Sequence, residues 1–221
     1  WDAGYLYLAA KWRDPTPMFN QIDPAFNPND GWKSDSWQIR FRTDKISHFT
    51  TWYYTPKKMP TAQVEFGKSA TEAYGGPGAF VTSSEGGTRL DHGIEMAYRR
   101  NDDGRGFVQE LKIPWSLLYE KVPNVAAGLT FRLGLEFLWG DPTGKTWPAH
   151  RYADNLQPGA TSREFYWKNW KAWGDATLVA KGNVPVRQYK AVGGHLPGTV
   201  PVRAAIPRDA VRFTIAIEDA A

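Results

Sequence analysis

Short stretches of alternating apolar and polar residues follow one another along most of this 221-residue chain. In the clearest of them, three large apolar residues alternate with an amide and two guanidinium groups: Trp37, Ile39 and Phe41 against Gln38, Arg40 and Arg42. A period of two is typical of a β-strand with one buried face. The pattern therefore predicts a strand whose apolar side lies in the core and whose polar side lies open to water.

The same alternation predicts further strands at 5–12, 46–54, 106–113 and 129–139, with shorter ones at 62–66, 93–99 and 175–180. The stretch 129–139 is the longest and reads as a central strand. Pro114 suits the first turn of a short helix at 115–119, directly after Ile113-Pro114. Many strands and almost no helical period predict an all-β fold, an antiparallel β-sandwich of the jelly-roll kind.

The composition changes near residue 182, which predicts a domain boundary. We expect a β-sandwich at 1–181, a linker rich in glycine and proline at 182–198, and two short strands at 199–221. The last segment is expected either to pack on the first as an appended hairpin or to begin a following domain. Since the chain opens on Trp1 without an initiator methionine, we expect a processed protein or a piece of a longer one.

The composition narrows the classes of function. Eleven tryptophans are more than a core of this size needs, so part of them is expected to serve recognition. Lysine and arginine are scattered, which argues against a nucleic-acid partner despite a net charge of +4. The absence of cysteine excludes disulfides, thiolate zinc sites and cysteine nucleophiles. No apolar run approaches the roughly 20 residues of a membrane span.

Four segments, in this order, resemble the family 9 carbohydrate-binding modules and the related β-sandwiches that include haem-carrying DOMON-type domains. They are WDAGYLYLAA at 1–10, followed by Asp14-Pro15, then GWKSDSWQI at 31–39, QELKIPW at 109–115 and WGDATL at 173–178. Where the family's strand motif commonly has a second acidic residue, this chain has Gln38. The C-terminal segment resembles the start of an immunoglobulin-like module.

This resemblance implies a non-catalytic module of a larger secreted protein, extracellular or periplasmic, that binds a poly- or oligosaccharide beside other domains of the same polypeptide. A sugar needs a flat aromatic face for its ring and planar polar groups for its hydroxyls. Four polar candidates lie on predicted strands: Gln38, Arg40, Glu110 and Arg132. Four tryptophans are the candidates for stacking: Trp52, Trp147, Trp167 and Trp170. For each arginine the alternative is a solvated ion pair, and for each tryptophan it is core packing.

Other functions stay open at this level. The loop 18–31 and its surroundings offer hard oxygen ligands, with Asp30 and Asp35 as candidates for a structural Ca²⁺. A non-covalent haem would need axial ligands such as Met18 or Met59 with one of the four histidines. Hydrolysis would need facing carboxylates, for which Glu95 and Glu110 are candidates, although an ion pair with Arg99 or Lys112 is the simpler interpretation. A purely structural module is the remaining alternative.

Overall fold

The computed structural model describes residues 1–69, 73, 76, 78–152 and 169–180, with backbone alone at 151, 186–190, 192–193, 203–204 and 214–218. The strands and the helix are β1 Tyr5–Trp12, β2 Ser36–Arg42, β3 Ile46–Tyr54, β4 Met59–Gly67, β5 Phe80–Ser83, β6 Glu95–Arg100, β7 Phe107–Pro114, α1 Trp115–Leu118, β8 Thr130–Trp139, β9 Ala149–Tyr152, β10 Gly174–Thr177, β11 Val186–Lys190, β12 Val192–Gly193, β13 Arg203–Ala204 and β14 Thr214–Glu218. Short 3₁₀ turns lie at Pro28–Lys33, Thr55–Lys57, Asp91–Gly93 and Trp170–Ala172.

These strands form two sheets. One has the order β13-β11-β14-β1-β7-β6, and the other has the order β12-β9-β8-β2-β3-β4-β5, with β10 also paired to β8. Except for β14, which runs parallel to both β1 and β11, the neighbouring strands are antiparallel. The prediction of an all-β, mainly antiparallel sandwich is confirmed, and β8 is an interior strand as predicted.

The core lies between the sheets and contains the apolar halves of the alternating stretches. Trp37, Ile39 and Phe41 are each 0% exposed, opposite Leu6, Leu8 and Trp12 of β1 in the same cluster. Each such side chain contributes roughly 1.5–3 kcal/mol on burial. The short helix α1 follows Pro114 as predicted, and its Trp115 closes the sheet edge by donating from Nε1 to the Asp2 carbonyl at 2.9 Å.

Two of the observed strands, β5 and β9, were not among the predicted ones. The strand predicted at 62–66 begins earlier, at Met59, and includes Pro60, which lies opposite Tyr53. The larger difference concerns β2: six of its seven residues are buried, so both of its faces are covered.

The predicted linker 182–198 contains the strands β11 and β12, so it is not a strandless segment. From the segment 199–221, β14 lies beside β1 in the first sheet and β11 lies beside β14. The division at residue 181 and the immunoglobulin-like start stay predictions.

Candidate functional site

A row of polar side chains crosses the outer face of the β2-containing sheet. The register places five of them opposite one another on consecutive strands: Tyr152 on β9, Glu136 on β8, Gln38 on β2, Thr50 on β3 and Gln63 on β4. A second row follows two residues along: Arg40 on β2, His48 on β3 and Glu65 on β4. We call these eight residues, with His150 on β9, the polar face.

The alternation that places these residues is local, but their assembly depends on pairing. Gln38 donates from Nε2 to the Thr50 hydroxyl at 3.4 Å, and Arg40 donates to the Phe49 carbonyl at 3.2 Å. Opposite Arg40 on β8 stands Gly134, which leaves room for the guanidinium because it has no side chain. The polar face therefore holds one arginine on β2 and two glutamates, one on the neighbouring strand β8 and one on β4.

The polar face is buried, so the expectation that it lies open to water was wrong. Gln38 is 3% exposed and Arg40 is 1% exposed. Connecting segments cover the two ends of the face: Trp173 packs edge-on against His48, with ring centroids 5.7 Å apart, and the loop before β2 covers Trp52. Buried charges are stable only when partners replace their hydration, so this face works as a closed network.

His48 shows the electrostatic consequence of this closure. Burial lowers the pKa of its imidazole well below the usual value, and the positive charge of Arg40 lowers the pKa further. A histidine in this environment stays neutral at physiological pH, so it contributes a donor and an acceptor without adding a positive charge beside Arg40.

An aromatic cluster lies at one end of the polar face. Trp32, from the turn Pro28–Lys33, meets Trp147 edge to face with centroids 5.6 Å apart. Trp147 in turn contacts His150 at 5.4 Å, and His150 contacts Tyr152 at 5.1 Å. The His150 Nδ1 lies 2.9 Å from the Glu136 carboxylate. Both tryptophans are only partly buried, so this pair, which we call the tryptophan edge, connects solvent to the buried network.

The loops that carry the tryptophan edge are tied together by buried hydrogen bonds. Asp35 accepts from the Phe19 amide at 2.9 Å and from the Gly140 amide at 2.6 Å, which joins the two loops. The Gln21 amide donates to the Gly144 carbonyl at 2.8 Å. Gly144 has φ +66°, and a Cβ there would come within 2.8 Å of Gln21. The edge is therefore held in place before any ligand arrives.

Trp52 does not form a stacking platform, contrary to expectation. It lies on the same face as Thr50, as the alternation predicted, but it is 0% exposed. Its Nε1 donates to the Ile22 carbonyl at 3.0 Å, and Gly31 packs directly on its benzo ring. The loop before β2 therefore rests on this indole, which anchors the loop.

Arg132 was expected to bind the ligand, but its side chain already has two protein partners. Its Nε lies 3.2 Å from the Asp175 carboxylate, and its terminal nitrogen donates to the Trp173 carbonyl at 3.1 Å. Trp170 lies at the end of the polar face away from the tryptophan edge, where the Arg42 guanidinium stacks 5.2 Å from its ring centre. Trp167 lies outside the described residues.

Glu110 is on the other sheet, so the structure does not bring it to the polar face. It lies on β7, between Ala9 of β1 and Ala97 of β6, with its side chain on the outer surface of that sheet. Glu95 pairs with Lys112 at 2.8 Å, which confirms the ion-pair interpretation for Glu95.

The proposed metal ligands have other partners. Asp30 pairs with Lys33 at 2.9 Å on the surface, while both oxygens of the buried Asp35 accept main-chain amides. Burial, and next the charge of Asp14, raise the pKa of Asp35 well above its usual value. Within the described residues, no three histidine, cysteine or acidic side chains group as metal ligands would. The calcium site stays a prediction.

The two histidines of the polar face lie too far apart to ligate one haem iron. His48 and His150 share the polar face, but β3 and β9 are three strand positions apart, about 14 Å at the usual strand spacing. Two ligands of one iron atom must be much closer. Met59 packs with Trp52 and Tyr54, Met18 lies in the main core, and His195 is outside the described residues.

Sequence reasoning missed most of the polar face. Glu65, Gln63, Glu136 and Tyr152 were not among the candidates, and the two histidines were considered only as haem ligands. Their shared signal is a polar residue at the outward position of a paired strand, but the register that brings them into line comes from the fold.

No family model matches this chain, and no curated protein matches it. Among solved structures, it is similar to a carbohydrate binding module family 9 from Caldicellulosiruptor kristjanssonii in complex with cellotriose, with a TM-score of 0.46 and 14% identity over 82% of this chain and 73% of that chain. It is also similar to a carbohydrate binding module family 9 from the same organism in complex with glucose, with a TM-score of 0.46 and 14% identity over 83% and 76% of the two chains. Both structures are of the family that the four sequence segments resemble. None of the helices among the described residues is long and apolar enough to cross a bilayer.

Proposed function

We propose that this chain is a non-catalytic carbohydrate-binding domain that holds a sugar at the tryptophan edge. The observation that carries the proposal is the contact between Trp32 and Trp147, two partly exposed indoles held edge to face beside the buried His150–Glu136 pair. An indole offers the apolar face of a pyranose a flat partner, and its N–H binds oxygen. Rings fixed by their loops lose little conformational entropy on binding.

The polar face supports this role from beneath. His150 contacts Trp147 on one side and the Glu136 carboxylate on the other, so the network sets the position of the indole. Gln38 lies opposite Glu136 on the next strand and extends the network inwards. Gln38 and Arg40 are both buried in this structure. Their direct hydrogen bonds to sugar hydroxyls stay a prediction.

The wider setting is also a proposal. The module would belong to a secreted, extracellular or periplasmic polypeptide and would direct its other domains to a poly- or oligosaccharide. The cellotriose and glucose named for the two similar structures make β-linked glucose oligomers a reasonable first ligand to assay.

The test is calorimetry and affinity electrophoresis against a panel of glycans with Trp147→Ala. Removing a stacking indole gives up roughly 1.5–3 kcal/mol of burial, so affinity should fall about 10- to 100-fold. Trp170→Ala is the matched control, because this indole is also partly buried but lies at the other end of the face.

Three results separate the possibilities. A loss with Trp147→Ala and unchanged binding with Trp170→Ala supports the proposal. Equal losses in both variants contradict the placement of the sugar at the tryptophan edge. No binding to any glycan by the folded wild-type domain contradicts the function itself.

A further inference from the structure

A groove of about 220 Å³ opens on the outer face of the β1-β7-β6 sheet, on the side of the sandwich away from the polar face. Its side-chain lining comes from outward positions: Tyr7, Ala9, Thr88, Glu95, Ala97, Glu110 and Lys112. The groove exists because Glu110 stands between two alanines in register, Ala9 and Ala97, whose short side chains leave space on either side.

The size of the groove selects a small ligand. A cavity of about 150 Å³ holds a benzene molecule, so about 220 Å³ accommodates one six-membered ring with its substituents. The side chains of Leu8, Met96 and Leu111 belong to the core, which makes the floor a rigid sheet.

One wall of the groove is fixed in position by its own contacts. The Lys112 ammonium lies 2.8 Å from Glu95 and 4.1 Å from the centre of the Tyr5 ring. Tyr7 donates its hydroxyl to Asp2 at 2.6 Å, which orients the ring that borders the groove. The Glu95 carboxylate raises the pKa of Lys112, so the ammonium stays charged. The wall therefore offers an aromatic edge and a permanent donor.

The charges of the groove favour a neutral polar ligand. Two carboxylates and one ammonium line it, and the hydrogen bond from Lys112, followed by the charge of Arg89, lowers the pKa of Glu95. The negative and positive charges around the groove are therefore close to balance, so an ionic ligand gains no net attraction. A carboxylate accepts hydrogen bonds from two neighbouring hydroxyls at once.

We propose that this groove is a second, separate binding site for a single neutral sugar ring, with Glu110 accepting from adjacent hydroxyls and Tyr7 beside the ring. The ring lies over Ala97 and Ala9, whose short side chains leave space for it. This site is separate from the tryptophan edge, which lies at the end of the other sheet.

The experiment is an NMR titration of the full chain labelled at alanine methyls and tryptophan indoles, with glucose, mannose, galactose and xylose as probes. Ala9 and Ala97 methyls report on the groove, while the Trp147 indole reports on the tryptophan edge. At least one of these sugars should shift both methyls in a saturable way, with a dissociation constant on the order of millimolar for a ligand of this size. Glucuronate should bind more weakly than the neutral sugars, because its carboxylate loses hydration without gaining a net attraction.

Variants make the outcome decisive. Ala97→Phe fills the groove and should abolish the Ala9 shift, and Glu110→Gln keeps the shape but should weaken binding about tenfold. Trp147→Ala should leave the Ala9 and Ala97 shifts unchanged. The proposal is overturned if no neutral sugar shifts these methyls, if the shift at Ala9 survives in folded Ala97→Phe, or if Trp147→Ala removes it. Indole shifts without methyl shifts would reject the groove alone, and methyl shifts without indole shifts would reject the tryptophan edge alone.

Discussion

Gly31→Ala tests whether the loop before β2 rests on the buried Trp52 ring. Gly31 has no positive φ, so alanine is compatible with its backbone, and only the space around it opposes the change. A Cβ at this position would lie 2.6 Å from both Cε3 and Cζ3 of Trp52. Carbon atoms attract one another from about 3.5 Å outwards, so the loop or the ring must move by about 0.9 Å.

The ring has little freedom to make that movement. Trp52 is 0% exposed, and its Nε1 is held by the Ile22 carbonyl at 3.0 Å. Overpacking of this kind costs about 1–3 kcal/mol. For a chain of this size, each kcal/mol corresponds to about 2–4 °C, so the melting temperature should fall by roughly 2–12 °C. Because Trp32 follows Gly31 directly, sugar affinity should fall with it.

Thermal and urea unfolding of Gly31→Ala measure the first effect, with Gly4→Ala as the control. At Gly4 a Cβ would lie 3.6 Å from Asp2, an ordinary contact, and its φ is not positive either. The control should change stability by less than about 0.5 kcal/mol or raise it slightly. Trp52→Leu removes the ring that opposes the Cβ, so the double variant should be at least about 1 kcal/mol more stable than the sum of the single effects predicts. Equal stability of Gly31→Ala and Gly4→Ala, or simple additivity in the double variant, would refute the packing.

Three further outcomes are expected. His150→Ala removes a hydrogen-bond partner of the buried Glu136 carboxylate at 2.9 Å, and urea unfolding should show a loss of about 1–3 kcal/mol. Gly106→Ala should destabilise more than Gly31→Ala in the same assay, since φ is +125° and a Cβ would meet a main-chain carbonyl of β1 at 1.9 Å. Asp35 has a raised pKa in the folded state because of burial and the charge of Asp14; its contribution to stability is therefore full below about pH 4 and is lost as the pH rises through the folded pKa. The urea midpoint of the wild type should therefore fall between pH 4 and 7, and Asp35→Asn should lack this part of the fall. A difference in midpoint between the two proteins that stays constant across that range would contradict this role of Asp35.

The sequence alone predicted the strands and the buried halves of the strands well. The alternation that starts at Trp37 places its apolar residues in the core, and Trp115 and Trp139 are buried at 1% and 2% exposure. The alternation in 46–54 also grouped Trp52 with His48 and Thr50 on one face, and the register of the structure places that face beside Gln38. These results follow from the two-residue period of a strand, which each segment carries in its own residues.

The candidate site was harder to predict from the sequence, because it depends on contacts between residues far apart in the chain. Glu110 and Gln38 both occupy strand positions of the same character, yet they lie on the outer faces of different sheets. The ion pair of Arg132 with Asp175 and the meeting of Trp32 with Trp147 join residues 43 and 115 positions apart. No local pattern indicates such pairs.

By itself the amino-acid sequence determined which residues form strands and which side of each strand is apolar, since side-chain direction along an extended backbone is a local property. Only the tertiary structure decided that loops cover the polar face, that Trp52 anchors one of them, and that Trp32 and Trp147 come together at its end. Those features depend on register and on loop placement, which are set by the packing of segments far apart in the chain.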